Sequence, residues 1–132
     1  ITPNLPETSV LLGCGEPDNL EQMATKAQRL MGLGAGAVLL KGGHLENSNN
    51  ATDLFYDGQQ MVSFSSPRIA TQNTHGTGCT LASAIAVGLA DGLNTLTAIQ
   101  QAKEYIDAAI AAADDLQVGQ GHGPVHHFYK YW

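Results

Sequence analysis

The sequence predicts an α/β fold, and three observations carry that prediction. A helical pattern runs directly into a short, wholly apolar run. A hairpin pattern comes next, and two further helical patterns follow it. Taken in order, Leu20, Met23, Ala24, Ala27, Leu30 and Met31 recur at helical spacing. Asp18 with Glu21 predicts a capping box at the start of that helix, and Gly32 predicts its stop. Residues 37–40, AVLL, are continuously apolar. Placed after a helix, they are expected to form a buried parallel strand. LENSNNAT (45–52) is polar and loop-like. TDLFYDGQQMVSF (52–64) predicts a hairpin turning at Asp57-Gly58. Residues 79–90 predict a small-residue helix ending near Gly92. Ile99, Ala102, Ile106, Ile110 and Ala113 mark a longer helix, from Asn94 or Thr95 to near Leu116. The tail GQGHGPVHHFYKYW predicts a loop that docks an aromatic end onto the body. One parallel strand and one hairpin make a thin sheet, so further strands are expected upstream of ITPNLPE, which does not open on Met.

Bulk composition narrows the function classes. A chain of 132 residues fits one domain; at that size about two-thirds of the unfolded surface is buried, enough for a core without staples. The net charge is −6, with six basic residues and no run of them, which argues against a nucleic-acid footprint. Cys14 and Cys79 lie far apart and outside any C-x-x-C pair. That argues against a disulfide scaffold or a zinc site and suits a reducing cytoplasm. No apolar stretch approaches the roughly 20 residues of a membrane span, and no signal peptide is expected.

HGTGCT (75–80) is the segment richest in chemistry. Gly76 and Gly78 let the backbone turn freely. If a helix starts near Cys79, the N–H groups of Gly76, Thr77, Gly78 and Cys79 lack helical partners and can converge on an anion. The same position favours a thiolate, so Cys79 is a candidate base or nucleophile. A glycine-rich turn holding an inert, buried cysteine explains these residues equally well. NLPE (4–7) places Asn4 and Glu7 on either side of a proline; on its own it is best explained as a capping arrangement at a helix start. Lys41 follows the apolar strand and precedes two glycines; it either reaches a phosphate or is simply solvated at a strand end. GLGAGA (32–37) follows a helix and precedes a strand, the reverse of a dinucleotide fingerprint, and is rejected. No Walker-type phosphate loop occurs. His44, His75, His122, His126 and His127 show no metal-ligand spacing. His75, four residues before Cys79, raises a Cys–His nucleophile reading, but no orienting Asp or Asn is evident. Cys14 is expected to lack polar company.

TPNLPE, VLLKGGHL, DLFYDG, NTHGTGCTLASAIA and GHGPVHHF, in this order, resemble the bacterial hydroxymethylpyrimidine/phosphomethylpyrimidine kinases of thiamine biosynthesis. These are ribokinase-like enzymes, and the likeness spans residues 2–129. The resemblance implies a ribokinase-like three-layer α/β/α sandwich, of which residues 1–132 look like the carboxyl-terminal, ATP- and phosphate-side half. The amino-terminal half, which holds most of the pyrimidine pocket, would then be absent. Cysteine at position 79, where the superfamily more often has Asp, points to the pyrimidine-kinase branch.

The implied reaction is phosphoryl transfer from ATP to hydroxymethylpyrimidine and then to its monophosphate. By the same resemblance, the amides of Gly76, Thr77, Gly78 and Cys79 stabilise the transferring phosphoryl, and Cys79 is the base. Lys41 lies near the transferred phosphate. Asn4 and Glu7 form the N-x-x-E motif acting on Mg²⁺ and its waters. The expected partners are ATP, the small-molecule substrate and either a second copy or the missing half. Two alternatives stand beside this reading: a pyridoxal or pyridoxine kinase, and a non-catalytic anion-binding or dimerising fragment. LENSNNAT is a candidate flap over phosphates. The GHGPVHHF tail is expected to be a docked terminus rather than a lid.

Overall fold

The computed structural model describes residues 1–43, 45 and 49–132. His44, and Glu46, Asn47 and Ser48 of the expected flap, lie outside the described residues. The elements in chain order are α1 (Leu5–Leu12), α2 (Leu20–Met31), β1 (Val38–Lys41), β2 (Asn50–Tyr56), β3 (Met61–Pro67), α3 (Thr77–Ala90) and α4 (Thr95–Ala111), followed by a 3₁₀ turn at Ala113–Asp115. The chain divides into two compact units, Ile1–Arg68 and Ile69–Trp132.

In the first unit, α1 starts on the Asn4–Glu7 pair. The Asn4 side chain accepts from the Glu7 N–H at 2.7 Å, and the Glu7 carboxylate accepts from the Asn4 N–H at 2.7 Å, a complete capping box. The sequence pattern pointed to this cap and helix start but gave no extent for the helix. Gly13 ends α1 in the left-handed region at φ 60°. The start of α2 corrects the expected Asp18–Glu21 box by one residue. Asn19 is the N-cap and accepts from the Gln22 N–H at 2.9 Å, while Gln22 Oε1 accepts from the Asp18 N–H at 3.0 Å. Gln22 thus reaches past the N-cap to the residue before it, so no closed reciprocal box forms at this helix start. The stop at Gly32 is as expected.

β1 corrects the expectation of a parallel strand. It pairs antiparallel with β2, with Val38 opposite Tyr56 and Lys41 opposite Asp53. A parallel neighbour does exist: Leu39 N–H donates to the Ile1 carbonyl at 2.9 Å, Lys41 N–H to the Pro3 carbonyl at 2.8 Å, and Asn4 forms a parallel bridge with Lys41. A continuous apolar run marks burial, and it carries no information about strand direction. β2 and β3 form the expected hairpin, longer than the pattern suggested. Tyr56 is opposite Met61 across a four-residue loop, with Gly58 at φ 91°. Leu5, Met23, Ala27, Leu30, Val38, Leu40, Leu45 and Leu54 form this unit's core beneath α2. Each large side chain fully buried there contributes roughly 1.5–3 kcal/mol.

The second unit is built on α3 against α4. Leu81, Ile85 and Gly88 of α3 are buried, as are Ala98, Ile99, Ala102, Ile106 and Ala109 of α4. The crossing is close because Gly88 has no Cβ; one placed there would lie 3.0 Å from the Ala98 Cβ. Asn94 caps α4 by accepting from the Thr97 N–H at 3.0 Å. α4 ends at Ala111 and the 3₁₀ turn extends the path almost to Leu116, close to the expected limit.

Candidate functional site

α3 begins at Thr77, two residues earlier than the apolar pattern implied, because Gly76 acts as its N-cap in the left-handed region at φ 85°. That conformation strains any residue with a Cβ, and glycine adopts it freely. The first helical bond runs from the Thr80 N–H to the Gly76 carbonyl at 2.9 Å. Thr77 N–H donates to the Thr74 carbonyl at 3.3 Å, and the Thr77 hydroxyl to the same oxygen at 2.7 Å. Among the described residues, the N–H groups of Gly76, Gly78 and Cys79 find no acceptor. Three of the four predicted amides are therefore open at a helix N-terminus, where the dipole favours negative charge. The fourth, on Thr77, is turned to its own loop.

The Cys79 side chain is exposed. It lines an open groove of about 380 Å³ with Thr80, Ser83, Val87, Tyr105 and His127. The thiol is exposed and not buried. His75 does not support the Cys–His reading. Its backbone is occupied by the tail, and no hydrogen bond joins its ring to Cys79 among the described residues.

The tail lies beside this turn. His75 N–H donates to the Gly123 carbonyl at 3.0 Å and Val125 N–H to the His75 carbonyl at 3.3 Å, forming a parallel bridge at Pro124. His127 Nε2 and Thr80 Oγ1 share a hydrogen bond at 3.0 Å, and the Tyr105 hydroxyl donates to the His127 carbonyl at 2.9 Å. The terminus docks, as expected, but through different residues. Val125 and His126 are buried, whereas Phe128, Tyr131 and Trp132 remain exposed. Thr80, Tyr105 and His127 were not singled out in the sequence as groove residues. Their only local signal is their position within helical and tail patterns, since the groove exists only once α3, α4 and the tail meet.

In the first unit, Asn4 is linked to Glu7 through the cap and to Lys41 as a bridge partner. The cap uses the Asn4 side-chain oxygen Oδ1 and one Glu7 oxygen, Oε2. Exposed Glu7 keeps Oε1 without a hydrogen bond to a described residue. Lys41 is half-buried at the end of β1. The turn after it is held by buried Asp53, whose Oδ1 accepts from the Gly42 N–H at 3.0 Å. Gly42 is required there: a Cβ would lie 2.1 Å from the Thr52 carbonyl oxygen. Among the described residues no group of three His, Cys, Asp or Glu side chains is placed to hold a metal ion. Cys14, expected to lack polar company, has the Lys26 ammonium 3.6 Å from its sulfur. No described helix is long and apolar enough to cross a membrane.

Comparison with known proteins places these features in a family context. The family described as phosphomethylpyrimidine kinase matches residues 1–126. A hydroxymethylpyrimidine/phosphomethylpyrimidine kinase of Rhizobium meliloti is 51% identical over 132 residues, covering 100% of this chain and 49% of its own. The protein of the same description from Escherichia coli is 45% identical over 133 residues, again covering 100% of this chain and 49% of its own. The chain thus spans about half the length of the curated relatives it matches. Among solved structures, the ADP complex of Bacillus subtilis pyridoxal kinase superposes with a TM-score of 0.89 at 38% identity, covering 96% of this chain and 47% of that one. The ribokinase-like α/β fold expected from the sequence is the one these neighbours share.

Proposed function

Since the chain belongs to the phosphomethylpyrimidine kinase family, we propose that it is the carboxyl-terminal, phosphate-side part of an enzyme that transfers the γ-phosphoryl of ATP to hydroxymethylpyrimidine and then to its monophosphate. The observation that carries this reading is the set of open amides on Gly76, Gly78 and Cys79 around an exposed thiol. Phosphoryl transfer is mainly positioning and electrostatic stabilisation. Fixed N–H donors at a helix start supply that stabilisation without reorganising during the reaction. Gly76, Gly78 and Cys79 donate to the oxygens of the transferring group, and Thr77 holds the loop through Thr74. Cys79, at the mouth of the groove, takes the proton of the attacking hydroxyl. Lys41 offers a positive charge to a phosphate from the end of β1.

Magnesium, when bound with the nucleotide, neutralises phosphate charge. Glu7 would hold it through a retained water, using the oxygen left over from the cap, and Asn4 keeps that carboxylate in place by donating its N–H to the other oxygen. A soluble cytoplasmic protein that pairs with a second copy, or with a chain supplying the amino-terminal half, fits this role.

A second reading rests on the likeness to a pyridoxal kinase: the same phosphate machinery would serve a pyridoxal hydroxymethyl group. The deciding experiment is an ADP-release assay on the complete enzyme, this chain together with its amino-terminal half, with ATP and Mg²⁺, supplied in turn with hydroxymethylpyrimidine and pyridoxal. Turnover with the pyrimidine is expected. Turnover with pyridoxal alone would favour the second reading. Binding of ATP without turnover on either would assign this chain an anion-binding role only.

A further inference from the structure

We propose that Asn73 is a positioning residue for the anion-binding turn at 76–79, acting through a clamp that ties the preceding loop to the 3₁₀ turn and to the tail. The inference rests on the anion-binding reading of that turn.

The observations lie outside the turn itself. Half-buried Asn73 uses all the hydrogen-bonding groups of its side-chain amide. Its Nδ2 donates to Asp114 Oδ1 at 3.0 Å and to the Ala113 carbonyl at 3.3 Å. Its Oδ1 accepts from the Gly123 N–H at 3.0 Å. Its own backbone N–H donates to Thr71 Oγ1 at 3.0 Å, and the Thr71 hydroxyl in turn reaches Asp114 Oδ1. Gly123 is buried, and a Cβ on it would lie 2.2 Å from Asn73 Oδ1, so only glycine permits this approach.

The clamp ends close to the chemistry. Gly123, held by Asn73, accepts from the His75 N–H at 3.0 Å, and His75 immediately precedes Gly76, whose left-handed conformation opens the amides. One side chain thus fixes the tail strand that fixes the residue before the N-cap. A free loop would let Gly76 sample other conformations, and an anion would have to order it on binding at the expense of affinity.

The geometry also specifies its own repair. In Asn73→Asp the donor toward Asp114 is lost and two carboxylates face each other. Adding Asp114→Asn restores a donor–acceptor pair with its direction reversed, while position 73 still accepts from Gly123. The test uses the full chain, with amide hydrogen exchange at the hydrogen-bonded amides of His75, Thr77 and Thr80 and calorimetric titration with inorganic tripolyphosphate. Asn73→Asp is expected to weaken tripolyphosphate binding about tenfold and to speed exchange at those three amides. The double variant should recover part of both, because the donation to the Ala113 carbonyl stays lost. Gly123→Ala should reproduce the single variant. Unchanged exchange at His75, Thr77 and Thr80 in folded Asn73→Asp, or a double variant no better than the single, would overturn the proposal. If the parent chain binds no tripolyphosphate, the anion-binding reading fails, and the exchange data still decide whether Asn73 positions the turn.

Discussion

At the residue scale, Glu7 illustrates how one side chain carries a structural and a chemical role that substitution can separate. Glu7→Gln keeps an oxygen for the Asn4 N–H, so the cap survives and thermal stability should hardly change. The charge is lost, so the Mg²⁺ concentration needed for half-maximal turnover should rise. Glu7→Ala keeps the bond from the residue-7 N–H to Asn4 Oδ1 but loses the reciprocal bond from the Asn4 N–H, at a cost of about 1 kcal/mol, visible in urea unfolding. A magnesium titration of Glu7→Gln that overlays the parent would confine Glu7 to capping. Cys79 is the complementary case, exposed at the start of α3 and with no hydrogen bond from its side chain to a described residue. In the complete enzyme, Cys79→Ala should leave the melting temperature and ATP affinity nearly unchanged and lower kcat by about 10²–10⁴-fold, the range for loss of a general base. Unchanged kcat would remove the thiol from the mechanism.

At the element scale, the β2–β3 hairpin and the α3–α4 pair each hinge on one position. Asp57 Oδ1 accepts from the Gln59 and Gln60 N–H groups at 2.9 Å each, and Oδ2 from the Gln60 side chain at 3.1 Å. The Gln60 N–H is the largest cause holding this carboxyl below its ordinary value of 3.8, followed by the Gln59 N–H. The unfolded chain therefore takes up the proton first as pH falls. The turn's contribution is complete above the ordinary carboxylate range and is lost as pH drops through the depressed folded value. Urea midpoints of the parent and of Asp57→Asn, compared at neutral and at acid pH, should converge toward acid; a constant difference would contradict the assignment. In the second unit, Gly88→Val places carbon where the Ala98 Cβ already stands 3.0 Å away. Overpacking of that kind costs about 1–3 kcal/mol and should lower the urea midpoint, whereas a substitution at exposed Val87 on the same helix should not.

At the scale of the whole molecule, a net charge of −6 opposes the approach of a polyphosphate. On the proposed function, local groups such as the open amides and a nucleotide-bound divalent cation supply the attraction. Chelating magnesium with EDTA should therefore weaken ATP binding sharply in calorimetry; equal affinity with and without the cation would place the binding energy elsewhere. What the sequence by itself determined follows the reach of its local interactions. The Asn4–Glu7 cap, the α2 stripe, the Asp57-Gly58 turn and the glycine-flanked Cys79 all depend on partners three or four residues apart, and such spacings are visible in the letters. Even there, the cap of α2 was displaced by one residue, because the Asn19 side chain accepts an N–H three residues on as readily as Asp18 would. Only the tertiary structure decided the direction of β1, whose apolar run is compatible with either, and whose neighbours are Pro3 on one edge and β2 on the other. It alone also decided the groove beside Cys79 and the clamp on Asn73. Asn73 and Gly123 stand 50 residues apart, and Thr80 and His127 stand 47 apart. Contacts of that range arise when helices close on one another, and no local periodicity encodes which partners then meet.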